Sequence, residues 1–220
     1  MRERFLSRAV LRRLPGLVAG LVIFGTGVAL MIDAGLGLGP WEAFHQGISR
    51  LTGIPIGTVA ILLGIPILLL WIPIGARPGI GTVTNVLLVG STTNVALPIL
   101  PQPAEIPGQL AMMVGGVVAV GIGSGMYLGA DLGAGPRDGL MTGLHHRFGW
   151  SIRRTRTAVE LTVLFLGFLL GGTIGLGTVA FTFGIGPVVQ WALGIFDREG
   201  RVSRRRELRI LEESPGTIGE

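Results

Sequence analysis

Residues 35–42 read Gly-Leu-Gly-Leu-Gly-Pro-Trp-Glu, and residues 131–138 read Asp-Leu-Gly-Ala-Gly-Pro-Arg-Asp. Gly39 aligns with Gly135, an offset of 135 − 39 = 96, and the same offset carries Gly37 to Gly133 and Pro40 to Pro136. Working outward without a gap, it pairs Gly20 with Gly116, Gly27 with Gly123 and Gly53 with Gly149. Further on, Gly-Ile-Gly-Thr-Val at 79–83 meets Gly-Leu-Gly-Thr-Val at 175–179. The chain holds 38 glycines, so single coincidences carry little weight. Four identities in five residues, held in register with the G-x-G-P strings, do not arise from composition alone. Self-similarity at a fixed offset is read before local structure, because it constrains the whole architecture.

Around these strings lie six apolar runs, at 14–32, 56–74, 82–100, 108–128, 155–172 and 177–196. At 1.5 Å per residue each reaches across a hydrocarbon core of about 30 Å. Unbroken runs of this length fit helices, whereas barrel strands alternate. Only 14% of the residues are charged, against about 25% in soluble domains, and the mean hydropathy is +0.65. The 220 residues divide into a basic N-terminus (1–13), two three-helix units (14–106 and 107–196) and an arginine-rich tail (197–220). The first run is too long for a cleaved signal peptide and more spans follow, so it reads as a retained signal-anchor helix.

Every basic residue apart from the three histidines is arginine. Arg2, Arg4, Arg8, Arg12 and Arg13 precede the first span; Arg137, Arg147, Arg153 and Arg154 lie between the fourth and fifth; Arg204, Arg205 and Arg206 follow the sixth. These segments share one side of the bilayer, and the positive-inside rule makes that side the cytoplasm. A bacterial plasma-membrane protein with both termini cytoplasmic is expected, its tail resting on anionic headgroups. The pI of 11.3 is thereby explained as topology control, with no nucleic-acid partner. Each unit has three spans, an odd number, so the second copy enters from the opposite side. The expected fold is an all-α membrane protein of six transmembrane helices, built as a 3+3 inverted-topology repeat, a pattern recurrent in secondary transporters.

The G-x-G-P strings predict two short half-helices. Pro40 suits a first helical position, Glu42 falls in a first turn that favours an acid, and Gly53 suits a stop. Trp41, Phe44, Ile48 and Leu51 share one face; Glu42, Gln46 and Ser49 share another. The second copy repeats the pattern from Pro136 to Gly149, with Asp138, Thr142 and His145 as the polar stripe. Two placements fit. The half-helices lie flat on opposite membrane surfaces, or they dip inward and bring their glycine-led ends together near the midplane. The second is tolerated only where that backbone is enclosed by protein or lines a cavity.

Other polar residues sit in apolar surroundings. Thr82, Asn85 and Thr92 follow helical spacing in the third span, and Asn94 and Gln190 are mates across the offset. Polar groups of this kind bond between membrane helices or meet a solute, and Asn85 is the strongest solute contact among them. Glu160 reads as an ion pair with Arg156, four residues earlier. His145 and His146 are adjacent, so they face different sides of a helix and read as interfacial groups. With no cysteine, no phosphate-binding loop and no recognisable nucleophile or metal set, neither enzyme chemistry nor a cofactor is expected.

Ala-Gly-Leu-Gly-Leu-Gly-Pro-Trp-Glu at 34–42, His-Gln-Gly at 45–47 and Pro-Gly-Ile-Gly-Thr-Val-Thr-Asn at 78–85 resemble the YczE/YitT-like family of bacterial integral membrane proteins. The likeness spans roughly residues 15–197. It implies a small multi-spanning plasma-membrane protein and brings no catalytic residues.

The residues themselves point to a secondary transporter or exporter of a small solute. Its site at the repeat interface is expected to comprise Gly37, Gly39, Glu42, His45, Gln46, Asn85, Gly133, Gly135, Asp138 and Thr142. Glu42 or Asp138 would exchange a proton or pair with a cationic solute. The alternative is a scaffold or regulator of a partner complex, docking through its tail. Beyond the lipid bilayer and a solute, a second copy of the chain is a candidate partner, since small membrane bundles pair through glycine faces.

Overall fold

The computed structural model describes residues 8–76 and 78–197, with Gly200 and Val202. Residues 1–7, Arg77 and the tail cluster Arg204, Arg205 and Arg206 lie outside the described residues, and so do the expectations resting on them. Among the described residues there are eight helices and no strand.

Two antiparallel apolar helices, α1 (Arg8–Ala34) and α5 (Ile106–Gly129), form the centre. Gly20 lies against the backbone of Gly123 and Gly27 against that of Gly116; a Cβ at any of the four would stand 2.5 to 2.8 Å from a backbone oxygen. Absence of side chains at these four points is what brings the backbones together. Two core clusters flank the crossing. One includes Met31, Ala34, Met113 and Val117, and the other Leu17, Leu21, Tyr127 and Ala130. Adding or subtracting 96 carries every residue of the second set onto one of the first.

Around this pair stand α2 (Pro40–Thr52), α3 (Ile56–Leu70), α4 (Ile80–Ala96), α6 (Pro136–Phe148), α7 (Ile152–Leu169) and α8 (Leu176–Phe196). α4 packs on α1, α8 on α5 and α3 on α4. α2 seats on α7, where Gly47 meets Leu170 and Gly167 meets the backbone of Phe44. The half-helices begin and end where their sequence predicts. Pro40 and Pro136 open them, and Gly53 (φ +73°) and Gly149 (φ +68°) close them in the left-handed conformation. The two glycine N–H groups donate to Ser49 O at 2.8 Å and His145 O at 2.9 Å, the αL cap that frees the chain to turn.

The G-x-G-P loops dock crosswise. In the first, Leu38 N–H donates to Thr173 O (3.1 Å), while Leu36 O accepts from Gly177 N–H (2.8 Å) at the start of α8. In the second, Leu132 O accepts from Gly81 N–H (2.9 Å) at the start of α4, and Ala134 O accepts from the Thr82 hydroxyl (2.7 Å). Gly37 (φ +119°) and Gly133 (φ +134°) hold backbone conformations closed to other residues, with the opposing helix start pressed against them.

Among the described residues three helices are long and apolar enough to cross a membrane, Val10–Ala34, Ile106–Gly129 and Leu176–Phe196, or four if α2 and α3, bent by 112°, count as one broken span. Of the other expected spans, α4 has 17 residues, and α7 opens on Arg153, Arg154, Arg156 and Glu160. Outward-facing residues are strongly apolar: Ile72 is 73% exposed and Phe183 76%. Large apolar side chains exposed in such number, among them Leu69, Leu70, Val95, Phe165 and Phe168, mark contact with lipid or a partner.

Candidate functional site

The first turns of α2 and α6 meet inside the bundle. Trp41 and Arg137 are mates across the 96-residue offset, and they face each other: the Arg137 guanidinium stands 5.2 Å above the indole ring. Arg137 Nη1 also lies 2.7 Å from Glu42 Oε1. Trp71, 2% exposed, fixes the start of α6 by donating from Nε1 to Pro136 O at 3.1 Å. The Glu42 side chain is 5% exposed. A carboxylate so enclosed persists only when paired, and Arg137 supplies the pair. The helix N-terminus adds partial positive charge. Yet Glu42 Oε2 and Trp41 Nε1 are buried without a hydrogen-bond partner, one acceptor and one donor left open at the same point.

Beside them lies a cavity of about 390 Å³, within the range that holds small organic ligands. Its inner wall carries Trp41, Glu42, Arg137, Asn85 and Phe181. Toward α6, Asp138 Oδ2 accepts from the Tyr127 hydroxyl at 3.0 Å. Toward α7 stands the expected Arg156–Glu160 pair, Nε to Oε1 2.9 Å. Aromatic faces beside carboxylates and guanidinium groups suit a small solute with a charged group and an apolar body.

The structure gathers part of the predicted set. Glu42, Asn85, Gly135 and Asp138 line the cavity, and Gly39 sits behind Glu42 Oε2 and Phe181. His45, 5% exposed, borders a separate small void with Glu42 and Arg137. The remaining four lie off the cavity wall. Gln46 Oε1 accepts from Thr173 N–H at 2.7 Å, tying α2 to the chain before α8. The Thr142 hydroxyl donates to Asp138 O at 2.7 Å, one turn back. Gly37 and Gly133 belong to the crosswise loop docking. The face of α2 also differs from its periodicity, since Glu42 is buried and Leu51 is 67% exposed. Position along the helix overrides face, because the first turn is enclosed on all sides and the last emerges.

Sequence reasoning missed Trp41, Arg137 and Tyr127 as cavity residues, and left Gln190, which also lines the cavity, between a helix contact and a solute contact. A signal for two of them was present. Trp41 and Arg137 stand directly after the shared Gly-Pro and differ in chemistry, an aromatic ring against a guanidinium, where the next pair, Glu42 and Asp138, keeps its acid. Among the described residues no group of three or more His, Asp or Glu is placed to hold a metal ion.

Comparison with known proteins adds identity to this geometry. Residues 11–193 match the model of a family of unknown function, DUF6198. An uncharacterized protein of Haemophilus influenzae is 40% identical over 182 residues, 83% of this chain and 84% of that one. The uncharacterized membrane protein YczE of Bacillus subtilis is 36% identical over 177 residues, 80% of this chain and 82% of its own. A further Bacillus subtilis protein, YyaS, is 26% identical over 85% of this chain and 95% of its own. No solved structure matches.

Proposed function

The chain belongs to the YczE-like family of membrane proteins, DUF6198, and from that premise we propose that it is a secondary transporter or exporter of a small solute. The cavity where α2 and α6 meet is its site. The observation that carries this reading is the buried Glu42 carboxylate, paired with a half-buried Arg137 and with one oxygen unfilled, on the wall of a cavity of about 390 Å³. Charged groups inside a membrane bundle are costly, and where present they mark solute or ion paths.

In this reading α1, α3, α4, α5, α7 and α8 are six spans of a 3+3 inverted repeat in the bacterial plasma membrane, with both termini cytoplasmic. The antiparallel α1–α5 pair supports it, because equivalent helices of the two halves then run in opposite senses. α2 and α6 are re-entrant half-helices. Burial of Pro40, Trp41, Glu42 and Ala43 supports that placement over a flat surface position. In the irregular loops 35–39 and 131–135, Leu36 O, Leu38 N–H, Leu132 O and Ala134 O are met by the opposite half, in keeping with the need of non-helical backbone at membrane depth for protein partners.

The test is counterflow in proteoliposomes with labelled amines, guanidinium compounds and carboxylates. Exchange of one class above empty liposomes is expected, with loss in Glu42→Gln and in Asp138→Asn. Exchange that survives both substitutions would sink the site. Deleting residues 201–220 should leave exchange intact; loss of it would favour a role built around a partner at the tail.

A further inference from the structure

The large cavity has a twin. A void of about 20 Å³ lies among α1, α2, α3 and α4. Its lining residues, all but Ile56 and Gly57, have 96-residue mates on the wall of the cavity of about 390 Å³. Thus Val28 corresponds to Ser124, Ala60 to Arg156 and Thr93 to Val189. Glu42 and Arg137 stand on both walls. The molecule therefore holds two equivalent spaces, one open and one collapsed, with the same ion pair between them.

The collapsed space is shut by α3 against α4. Gly57 meets the backbone oxygen of Gly90, Gly57 N–H donates to Asn94 Oδ1 at 2.8 Å, and Asn94 Nδ2 donates to Thr58 Oγ1 at 2.9 Å. Among the described residues no comparable seam joins α7 to α8 beside the open space. Two states in which one seam is closed and the other open are what a pair of oppositely oriented repeats provides. Arg137 meanwhile shows what the shared position binds: a guanidinium, held between the Glu42 carboxylate and the Trp41 ring face. Glu42 Oε2, enclosed and without a hydrogen-bond partner, leaves an unused acceptor on that carboxylate for a second cation.

We propose that the two voids are the open and closed vestibules of one site, that the Glu42–Arg137 pair is the partition between them, and that the solute is an organic cation of guanidinium or ammonium type. The solute's charge takes Arg137's place on Glu42, the partition loosens, and the α3–α4 seam opens. The inference rests on the transport reading above, deepening it with a gate and a substrate class.

The cysteine-free chain permits a direct test. Thr93→Cys reports on the closed void and its mate Val189→Cys on the open one. Each is labelled with a membrane-impermeant maleimide from either face of sealed vesicles. Val189→Cys is expected to react from one face and Thr93→Cys from neither. Adding Glu42→Gln, or adding methylguanidinium to the otherwise unaltered protein, should raise the Thr93→Cys rate at least about tenfold, from the opposite face only. Neutral urea should leave it unchanged.

The methylguanidinium arm stands even if Glu42→Gln does not fold. A Thr93→Cys that never reacts, or reacts from the same face as Val189→Cys, overturns the two-vestibule proposal while leaving a water-filled transport cavity standing. A Val189→Cys silent from both faces removes the transport reading itself. An effect of urea equal to that of methylguanidinium overturns the cationic assignment.

Discussion

The α3–α4 and α7–α8 pairs occupy equivalent positions in the two halves, and they behave oppositely. α3 and α4 touch backbone to backbone at Gly57 and Gly90, and Gly64 receives Val86. At the mates of Gly57, Thr58 and Gly64, α7 carries Arg153, Arg154 and Glu160. None of these permits the same approach, and all three seek water or headgroups. α7 instead turns its small residues, Gly167 and the nearby Gly172, toward α2. One backbone plan thus yields a sealed face and an open one, according to where the side chains vanish.

The largest effect that breaks this comparison is expected from Gly57→Leu. Its side chain has no space beside Gly90, and overpacking should cost about 3 kcal/mol or more. Arg153→Leu, at the exposed mate, should stay within about 0.5 kcal/mol. Denaturant unfolding of the detergent-solubilised protein measures both, and equal tolerance would show that the seam does not hold α3 to α4.

Next in size is Glu42→Ala, which strands Arg137. Losing one partner of a buried pair costs about 3–5 kcal/mol; with Arg137 26% exposed, about 2–3 kcal/mol is expected in the same assay.

Asn94→Ala leaves the Gly57 N–H unmet and should cost about 1–2 kcal/mol. Gln190→Ala, the mate facing the cavity, should cost less than about 0.5 kcal/mol and change solute exchange instead. A Gln190→Ala protein as destabilised as Asn94→Ala would mean that α8 is anchored through that residue after all. Smallest is Glu160→Ala, which removes a partly exposed i, i+4 pair and should shift stability by at most about 0.5 kcal/mol.

How far the sequence reaches can be judged from particular residues. Pro40, Gly53, Pro136 and Gly149 mark the half-helix ends because proline and glycine act through local backbone constraints that tertiary contacts rarely override. Glu42 and Asp138 stand out as acids in apolar surroundings. Arg137 does not, because an arginine in a basic connection reads as a topology signal until its neighbour across the bundle is known. Gln46 and Thr142 share the periodicity of the acids but sit further along their helices, and depth from the buried end is invisible to periodicity. The unequal seams follow from two glycines replaced by charged residues, and the replacement acquires meaning only when α4 and α8 are seen alongside.

The crosswise docking of the two loops bears on how the molecule is made. Leu36 and Leu38 leave the ribosome early, and their partners, Gly177 and Thr173, are synthesised well over a hundred residues later. Until Thr173 and Gly177 follow, Leu38 N–H and Leu36 O lack the partners they have in the finished fold. Each half therefore supplies partners that the other lacks, and completion of the fold is expected to come late and to involve the whole chain. A chain halted before α8 is expected to be degraded faster than the full chain, and the two halves supplied as separate fragments are expected to rescue one another.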